Sequence, residues 1–188
     1  RWFIRRYCVD LSEAVEENYR AYPSFNAFFT RALKPGVRSI PSTEQGVLSP
    51  ADGFVSEWGG IQQQQLMQAK GHYYRLADLL ADEVLAQTFH DGDFLTVYLS
   101  PKDYHRVHMP IAGTLKQMIY VPGSLFSVNP YTVSHVPGLF ARNERVIARL
   151  ETEKGAMAVI MVGAIIVASI ATVWHGLVAP SPTQKVQY

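Results

Sequence analysis

Hydrophobic and polar positions follow two different patterns along the 188-residue chain. Up to about residue 40 the pattern predicts helices. Asp10 and Glu13 have the capping-box spacing that begins a helix over residues 10–20, and Ser24 is the predicted cap of a second short helix. From Val47 onward, short apolar runs alternate with glycine and proline, which indicates strands. We therefore expect helices first and a β-rich core after them.

Four later segments are rich in β-branched and aromatic residues and predict strands. They cover residues 94–99, 113–121, 144–152 and 156–162. A leucine-rich segment at 76–85 places three leucines on one face and predicts a helix.

The uncharged run at residues 156–174 approaches the length of about 20 apolar residues that crosses a bilayer. Its valine and isoleucine content favours strands instead. Gly163 supplies a turn, and Ser169 and Thr172 fall in a part that alternates. The run is therefore predicted to form two buried strands joined near residues 163–164.

Charge is balanced overall but uneven along the chain. The net charge of +1 gives no global attraction to nucleic acid, so no nucleic-acid partner is predicted. Arg1, Arg5 and Arg6 interleave with aromatic residues, which suits an anionic membrane surface. A solvated helix with ordinary arginines is the alternative. Cys8 is the only cysteine, so no disulfide forms within the chain, which fits a reducing compartment.

His105 and His108 are the first candidates for chemistry, because histidine titrates near neutral pH. Pro101 and Pro110 bracket them and argue against a helix, so a shared site requires a bend. Two unrelated structural histidines are the alternative. A zinc site lacks further ligands in the sequence, so no metal is predicted.

Asp52 lies in the turn Pro50–Gly53, where aspartate before glycine is common. Its functional alternative is a carboxylate that orients a histidine, as in Ser-His-Asp systems. The candidate serines do not sit in a recognisable nucleophile elbow, so the triad is incomplete. These serines are Ser49, Ser100, Ser124 and Ser127.

Seven ordered blocks of the chain resemble the phosphatidylserine decarboxylase family, and the bacterial membrane-associated type most closely. One block contains both histidines within Asp103–Pro110, and another contains Asp52. The blocks cover residues 28–35, 50–53, 68–72, 98–110, 122–129, 139–145 and 162–164. Together they span most of the chain.

This resemblance implies a self-cleaving proenzyme with a covalent pyruvoyl group and no metal. Cleavage at a Leu-Gly-Ser-Thr-like motif leaves a larger β chain and a small α chain that carries the pyruvoyl group. No Leu-Gly-Ser occurs here, so the chain is expected to be the β chain, inactive without its α chain. The implied reaction converts phosphatidylserine to phosphatidylethanolamine and carbon dioxide.

The same resemblance assigns roles to individual residues. His108 is the expected base for self-cleavage, with Asp52 as its orienting carboxylate. His105 is expected to handle the substrate carboxylate or to deliver a proton to the carbanion. Tyr98, Leu125 and Phe126 are expected to line the substrate pocket.

The implied architecture is mainly β, with a sandwich or barrel-like core of antiparallel strands and N-terminal helices on the membrane. We expect a helical, membrane-facing segment at 1–40, a β-rich catalytic domain at 41–178 and an exposed tail at 179–188. The expected assembly is a homodimer of αβ units, peripheral on the cytoplasmic side of the cell membrane. A non-catalytic lipid-binding module and a zinc-dependent hydrolase are the competing functions.

Overall fold

The computed structural model describes residues 1–40, 46–69, 71–167, 169–178 and 186–187. Within these residues lie six short helices and ten strands. The helices are α1 (Trp2–Tyr7), α2 (Phe25–Phe29), α3 (Leu76–Leu80), α4 (Glu83–Gln87), α5 (Pro130–Val133) and α6 (Leu139–Arg142). The strands are β1 (Phe54–Gly60), β2 (Gln65–Ala69), β3 (His72–Arg75), β4 (Asp93–Tyr98), β5 (Gly113–Val121), β6 (Arg145–Thr152), β7 (Gly155–Val162), β8 (Ala171–Thr172), β9 (Gly176–Leu177) and β10 (Val186–Gln187).

The chain divides into two compact units, and each is discontinuous in sequence. The first unit consists of Arg1–Val55 and Val97–Ile111. The second unit consists of Ser56–Thr96 and Ala112–Tyr188. The predicted boundaries at residues 40 and 178 stay predictions.

The second unit is built around a four-stranded antiparallel sheet in the order β10-β5-β6-β7. β5 pairs with β6 from Gly113 opposite Thr152 to Val121 opposite Arg145, with a bulge between Leu115 and Gln117. The predicted strands at 113–121, 144–152 and 156–162 are confirmed to within one residue. Most of the predicted tail lies outside the described residues, while Val186–Gln187 pair with β5.

Residues 118–121 of β5 and 145–148 of β6 are buried on both faces of the sheet, which explains why these two stretches are almost entirely apolar. Ile119 and Ile147 face each other across the pair and pack with α3 and α4 in the larger hydrophobic cluster. Tyr120 and Val146 are the next pair and join Val178 in a smaller cluster. Neighbouring positions thus serve opposite faces, as the two-residue period of a strand requires.

The predicted helix at 76–85 is present as two shorter helices, α3 and α4. Ala81 takes a left-handed conformation with φ 51°, which ends α3. Asp82 then caps α4 by accepting hydrogen bonds from Val84 N and Leu85 N. An N-cap inside the leucine-rich segment therefore breaks it.

The helix predicted at residues 10–20 is wrong, because no residue of that segment is helical. Asp10 accepts a hydrogen bond from Ser12 N at 2.8 Å and makes a local turn. Glu13 pairs with Arg38 instead of closing a capping box. The backbone bonds with a distant segment, through Val15 N to Ala32 O and Lys34 N to Glu13 O, both at 2.9 Å. This long-range pairing replaces the local helix.

The second N-terminal helix is confirmed. Ser24 caps α2 by accepting a hydrogen bond from Ala27 N, and Phe28 and Phe29 are buried. α1 packs against α2 through Phe3, whose ring centroid lies 5.0 Å from that of Phe25. The membrane association of these helices stays a prediction.

The apolar run at 156–174 begins with β7 and continues through a bridge between Ala164 and Val167 to β8. Among the described residues, no helix is both long enough and apolar enough to cross a membrane. The predicted antiparallel, mainly β architecture is confirmed as four small sheets of two to four strands.

Candidate active site

Two backbone hydrogen bonds in the first unit join the Asp52 turn to the histidine segment. His108 N donates to Pro50 O at 2.7 Å, and Leu48 N donates to Pro110 O at 2.9 Å. The histidine segment has no regular secondary structure, as its flanking prolines predict. This pair of bonds, called the clip below, brings together two segments that the sequence analysis singled out separately.

Gly53 fixes the Asp52 turn close to the end of β4. A Cβ at this position would lie 2.4 Å from the carbonyl oxygen of Tyr98, nearer than any side chain can approach. Its φ of +152° also favours glycine. The Asp52-Gly53 dipeptide is therefore required by close packing as well as by the turn itself.

The carboxylate of Asp52 is held by Arg38. Arg38 Nε lies 3.1 Å from both carboxylate oxygens, and its Nη2 lies 2.5 Å from Oδ2. The same Nη2 donates to Glu13 at 2.8 Å. Hydrogen bonds to Asp52 and Glu13 raise the pKa of Arg38 above its usual value, so its guanidinium keeps its charge.

His108 bonds to Tyr104 rather than to a carboxylate. The Tyr104 hydroxyl lies 2.9 Å from Nε2 of His108, and the two rings stack with centroids 5.5 Å apart. Tyr104 is buried, and burial raises the pKa of its phenol. When Nδ1 of His108 carries the ring proton, the phenol donates to Nε2 in this bond.

His105 has different partners. Its Nδ1 lies 2.8 Å from the carbonyl oxygen of Asp103, and its ring packs on Phe29 of α2 with centroids 3.9 Å apart. Because a carbonyl only accepts, Nδ1 carries the proton of the neutral ring and Nε2 has a free lone pair. Burial lowers the pKa of His105, which favours this neutral form.

A pocket of about 260 Å³ in the first unit joins several of these groups. Asp52, Arg38 and Glu13 line it together with Tyr104. Asp52, one of the three predicted catalytic residues, thus lies on the pocket wall. No cluster of three or more potential metal ligands occurs in the described part of the chain.

The predicted substrate-pocket residues fall in both units. Tyr98 ends β4 in the first unit, whereas Leu125 and Phe126 lie in the second. Burial raises the pKa of the Tyr98 phenol. Leu125 is 36% exposed, and the Arg142 guanidinium lies 4.7 Å from the centroid of the Phe126 ring. Their shared role as a pocket lining stays a prediction.

The side chain of Asn143 holds the backbone at Phe126 by hydrogen bonds. Its Oδ1 accepts from Phe126 N at 3.0 Å, and its Nδ2 donates to Phe126 O at 2.9 Å and to Gly163 O at 2.8 Å. The side chain is fully buried, so these three bonds satisfy polar groups that water does not reach. Gly123 packs beside it, where a Cβ would lie 2.4 Å from Arg142 O.

Three site residues were not predicted individually from the sequence: Arg38, Tyr104 and Asn143. Arg38 belongs to a basic group with Arg31 and Lys34, which carries no hint of a carboxylate partner. Tyr104 precedes His108 by four residues, a spacing that predicts contact on a helix, and the flanking prolines argue against a helix here. Asn143 sits within a block that carries the family resemblance, and that position was its only signal.

Comparison with known proteins places these residues in a family. A sequence profile of the phosphatidylserine decarboxylase family matches residues 25–187. The chain is 61% identical over 181 residues to the phosphatidylserine decarboxylase proenzyme of Pseudomonas fluorescens, covering 96% of this chain and 63% of that protein. The proenzymes of Marinobacter nauticus and Pseudomonas aeruginosa are 55% and 61% identical, covering 100% and 95% of this chain. The chain spans less than two thirds of each relative, 66% and 62% in these last two.

Proposed function

Because the chain belongs to the phosphatidylserine decarboxylase family, we propose that it is the β-chain part of a pyruvoyl-dependent enzyme. That enzyme converts phosphatidylserine to phosphatidylethanolamine and carbon dioxide. The clip that joins the Asp52 turn to the segment of both histidines is the observation that carries this proposal. It gathers the three predicted catalytic residues into one compact unit.

In self-cleavage, His108 is the base that takes the proton of a serine hydroxyl on the part of the protein beyond this chain. The tautomer in which Nε2 accepts the Tyr104 bond is the one that a base needs. Tyr104 has to release this nitrogen when the serine approaches. Asp52 contributes a fixed negative charge, oriented by Arg38, that stabilises the protonated histidine.

His105 fits the chemistry of a pyruvoyl group, which uses a proton carrier and no metal. When bound, that group supplies the electron sink for decarboxylation. His105 holds its Nδ1 proton on Asp103 O and keeps Nε2 free. Nε2 can therefore take a proton from water and donate it to the substrate carbon after carbon dioxide leaves. Phe29 fixes the plane of the ring from one side.

The N-terminal residues support a peripheral position on an anionic, cytoplasmic membrane surface. Trp2 is 70% exposed, and Arg5 and Arg6 extend from the last turn of α1. Phe3 packs into the rings of α2, so it anchors α1 and leaves Trp2 outward. An exposed indole beside arginines suits the headgroup region of a bilayer.

Two further features of the assembly belong to the same proposal. The α chain and the β chain together complete a sandwich or barrel-like core of antiparallel strands. Two αβ units form a homodimer. The edge strand β7, which pairs only with β6 among the described residues, offers backbone groups for an added strand.

The test is the intact mass of the full-length gene product, measured before and after borohydride reduction in the presence of phosphatidylserine. We expect two chains, with the smaller one matching an N-terminal pyruvoyl group and gaining a substrate adduct. A single uncut chain that binds lipid vesicles without turnover would identify a binding module. Stoichiometric zinc with activity lost to chelators would identify a hydrolase.

A further inference from the structure

Arg31 is a buried cation in the first unit with one nitrogen unused. The residue is 5% exposed, and its Nη2 donates to Lys102 O at 3.1 Å. Its guanidinium lies 5.8 Å from the centroid of the Phe28 ring. Nη1 is screened from solvent and has no hydrogen-bond partner within the described ranges. A buried charged donor without an acceptor is unfavourable, so the fold retains it at a cost.

The two carboxylates whose charges act on Arg31 accept hydrogen bonds from other groups. Asp103 accepts from the backbone and the hydroxyl of Ser100, both at 2.7 Å. Asp10 accepts from Ser12 N. Arg31 therefore keeps its positive charge without a protein anion bonded to it.

Arg31 lines the same pocket of about 260 Å³ as Asp52. Of the other cations on that wall, Arg38 is bonded to Asp52 and Glu13, whereas the ammonium of Lys102 has no ion pair among the described residues. The pocket thus presents available positive charge next to carboxylates. This arrangement is complementary to a zwitterion that carries both an anionic oxygen and an ammonium group.

We propose that Arg31 binds the phosphate of a phosphoserine headgroup, with its guanidinium as the donor to a phosphate oxygen. The proposal rests on the proposed function and names the group that recognises its substrate. Arginine is suited to this role because its planar fork bonds the Lys102 carbonyl and a phosphate oxygen at once. The headgroup ammonium then faces the carboxylates of the pocket.

The test is calorimetric titration of the full-length, self-processed protein with glycerophosphoserine and, separately, with inorganic phosphate. Arg31→Gln removes the charge, and Arg31→Lys keeps it but cannot form both bonds. Arg20→Gln is the matched control, since Arg20 is an exposed arginine of the same unit that contacts Tyr19 outside the pocket. We expect both Arg31 variants to weaken glycerophosphoserine binding by roughly 10- to 100-fold, with Arg20→Gln unchanged.

Each outcome decides the proposal. Wild-type affinity in Arg31→Lys overturns it, even where Arg31→Gln fails to fold. Equal affinity of the wild-type protein for inorganic phosphate and glycerophosphoserine also overturns the headgroup assignment, because the site then takes free phosphate. In the unmodified protein, glycerophosphoserine should shift the NMR resonances of the Arg31 guanidinium, and no shift at saturation overturns the proposal.

Turnover distinguishes this inference from the proposed function. A wild-type protein that does not decarboxylate phosphatidylserine contradicts the function, whatever its binding data. If it does decarboxylate, Arg31→Lys should raise KM for phosphatidylserine roughly 10-fold or more with kcat little changed. An unchanged KM contradicts only the role of Arg31.

Discussion

At the scale of single residues, the position of Asp52 depends on Arg38. Among the described residues, three contacts orient the Asp52 carboxylate, all from that guanidinium, and Glu13 holds the guanidinium in turn. His108 is oriented separately, by Tyr104 and by its own backbone bond to Pro50. The two groups proposed for self-cleavage are thus fixed by two independent sets of contacts.

His108→Ala and Asp52→Asn should each leave the full-length proenzyme uncut, because each removes a group that cleavage requires. Arg38→Gln should slow cleavage by about tenfold, since it frees Asp52 to rotate away. The measurement is a time course of intact mass after synthesis, with Arg20→Gln as the control. Efficient processing of both His108→Ala and Asp52→Asn contradicts the assignment.

His105→Ala should process normally and decarboxylate about 100-fold more slowly or worse, because a proton carrier is lost after cleavage is complete. Release of carbon dioxide from phosphatidylserine in detergent micelles measures the effect. His135→Ala is the matched control, since His135 is exposed in the second unit and stacks on Tyr131. Near-normal turnover of His105→Ala rules out the role.

The lowered pKa of His105 predicts how stability depends on pH. The unfolded ring titrates near pH 6.5, whereas burial keeps the folded ring neutral to lower pH. Below about pH 6.5 the unfolded state therefore binds more protons, and the free energy of unfolding falls as acid is added. Urea midpoints at about pH 5 and pH 7.5 should differ less in His105→Phe, which keeps a ring against Phe29. An identical difference in both proteins contradicts this prediction.

At the scale of elements, the sequence correctly predicted those strands and helices whose formation depends on local sequence patterns. The strands β5, β6 and β7 appear at their predicted places because each carries an apolar run, which is buried in β5 and β6 and partly buried in β7. Residues 10–20 have helix-start signals, yet Glu13 and its backbone bond distant partners. The candidate site likewise has one part set by local sequence and one part set by tertiary structure. The turn around Asp52 is local and was predicted, whereas its partner Arg38 depends on tertiary structure.

Asn143 is the junction on which the segment of Leu125 and Phe126 depends. Asn143→Ala should lower the free energy of unfolding by about 3 kcal/mol, because three buried backbone groups lose their partners. Asn129→Ala, which removes the cap of α5, should cost about 1 kcal/mol. Urea denaturation of both variants tests the difference. Equal costs would show that water replaces the Asn143 bonds.

At the scale of the whole molecule, the two units differ in the features that their described residues contain. The first unit holds the proposed catalytic groups and the aromatic, basic N-terminus. The second holds the four-stranded sheet and the loop around Phe126. The family profile reaches across both, from residue 25 to residue 187, so both belong to the conserved protein type.

Replacing Arg1, Arg5 and Arg6 by glutamine should weaken binding to vesicles that contain phosphatidylglycerol by about fivefold for each arginine. Binding to vesicles of phosphatidylcholine alone should change little, because that surface has no net charge. Cosedimentation of the full-length protein measures both. Lys154→Gln, an exposed change in the turn between β6 and β7, is the control. A loss no larger than that of Lys154→Gln contradicts the membrane role of α1.

The clip between Pro50 and His108 also determines the order in which the protein can assemble during synthesis. Its two sides are separated by the whole segment Ser56–Thr96, which belongs to the second unit. A ribosome must therefore release the chain beyond Ile111 before the first unit has all its residues. Until then, the emerged N-terminal part keeps its aromatic surface without the contacts of the histidine segment. The serine proposed for self-cleavage lies later in the sequence than this chain, so both sides of the clip have emerged before any cut can be made.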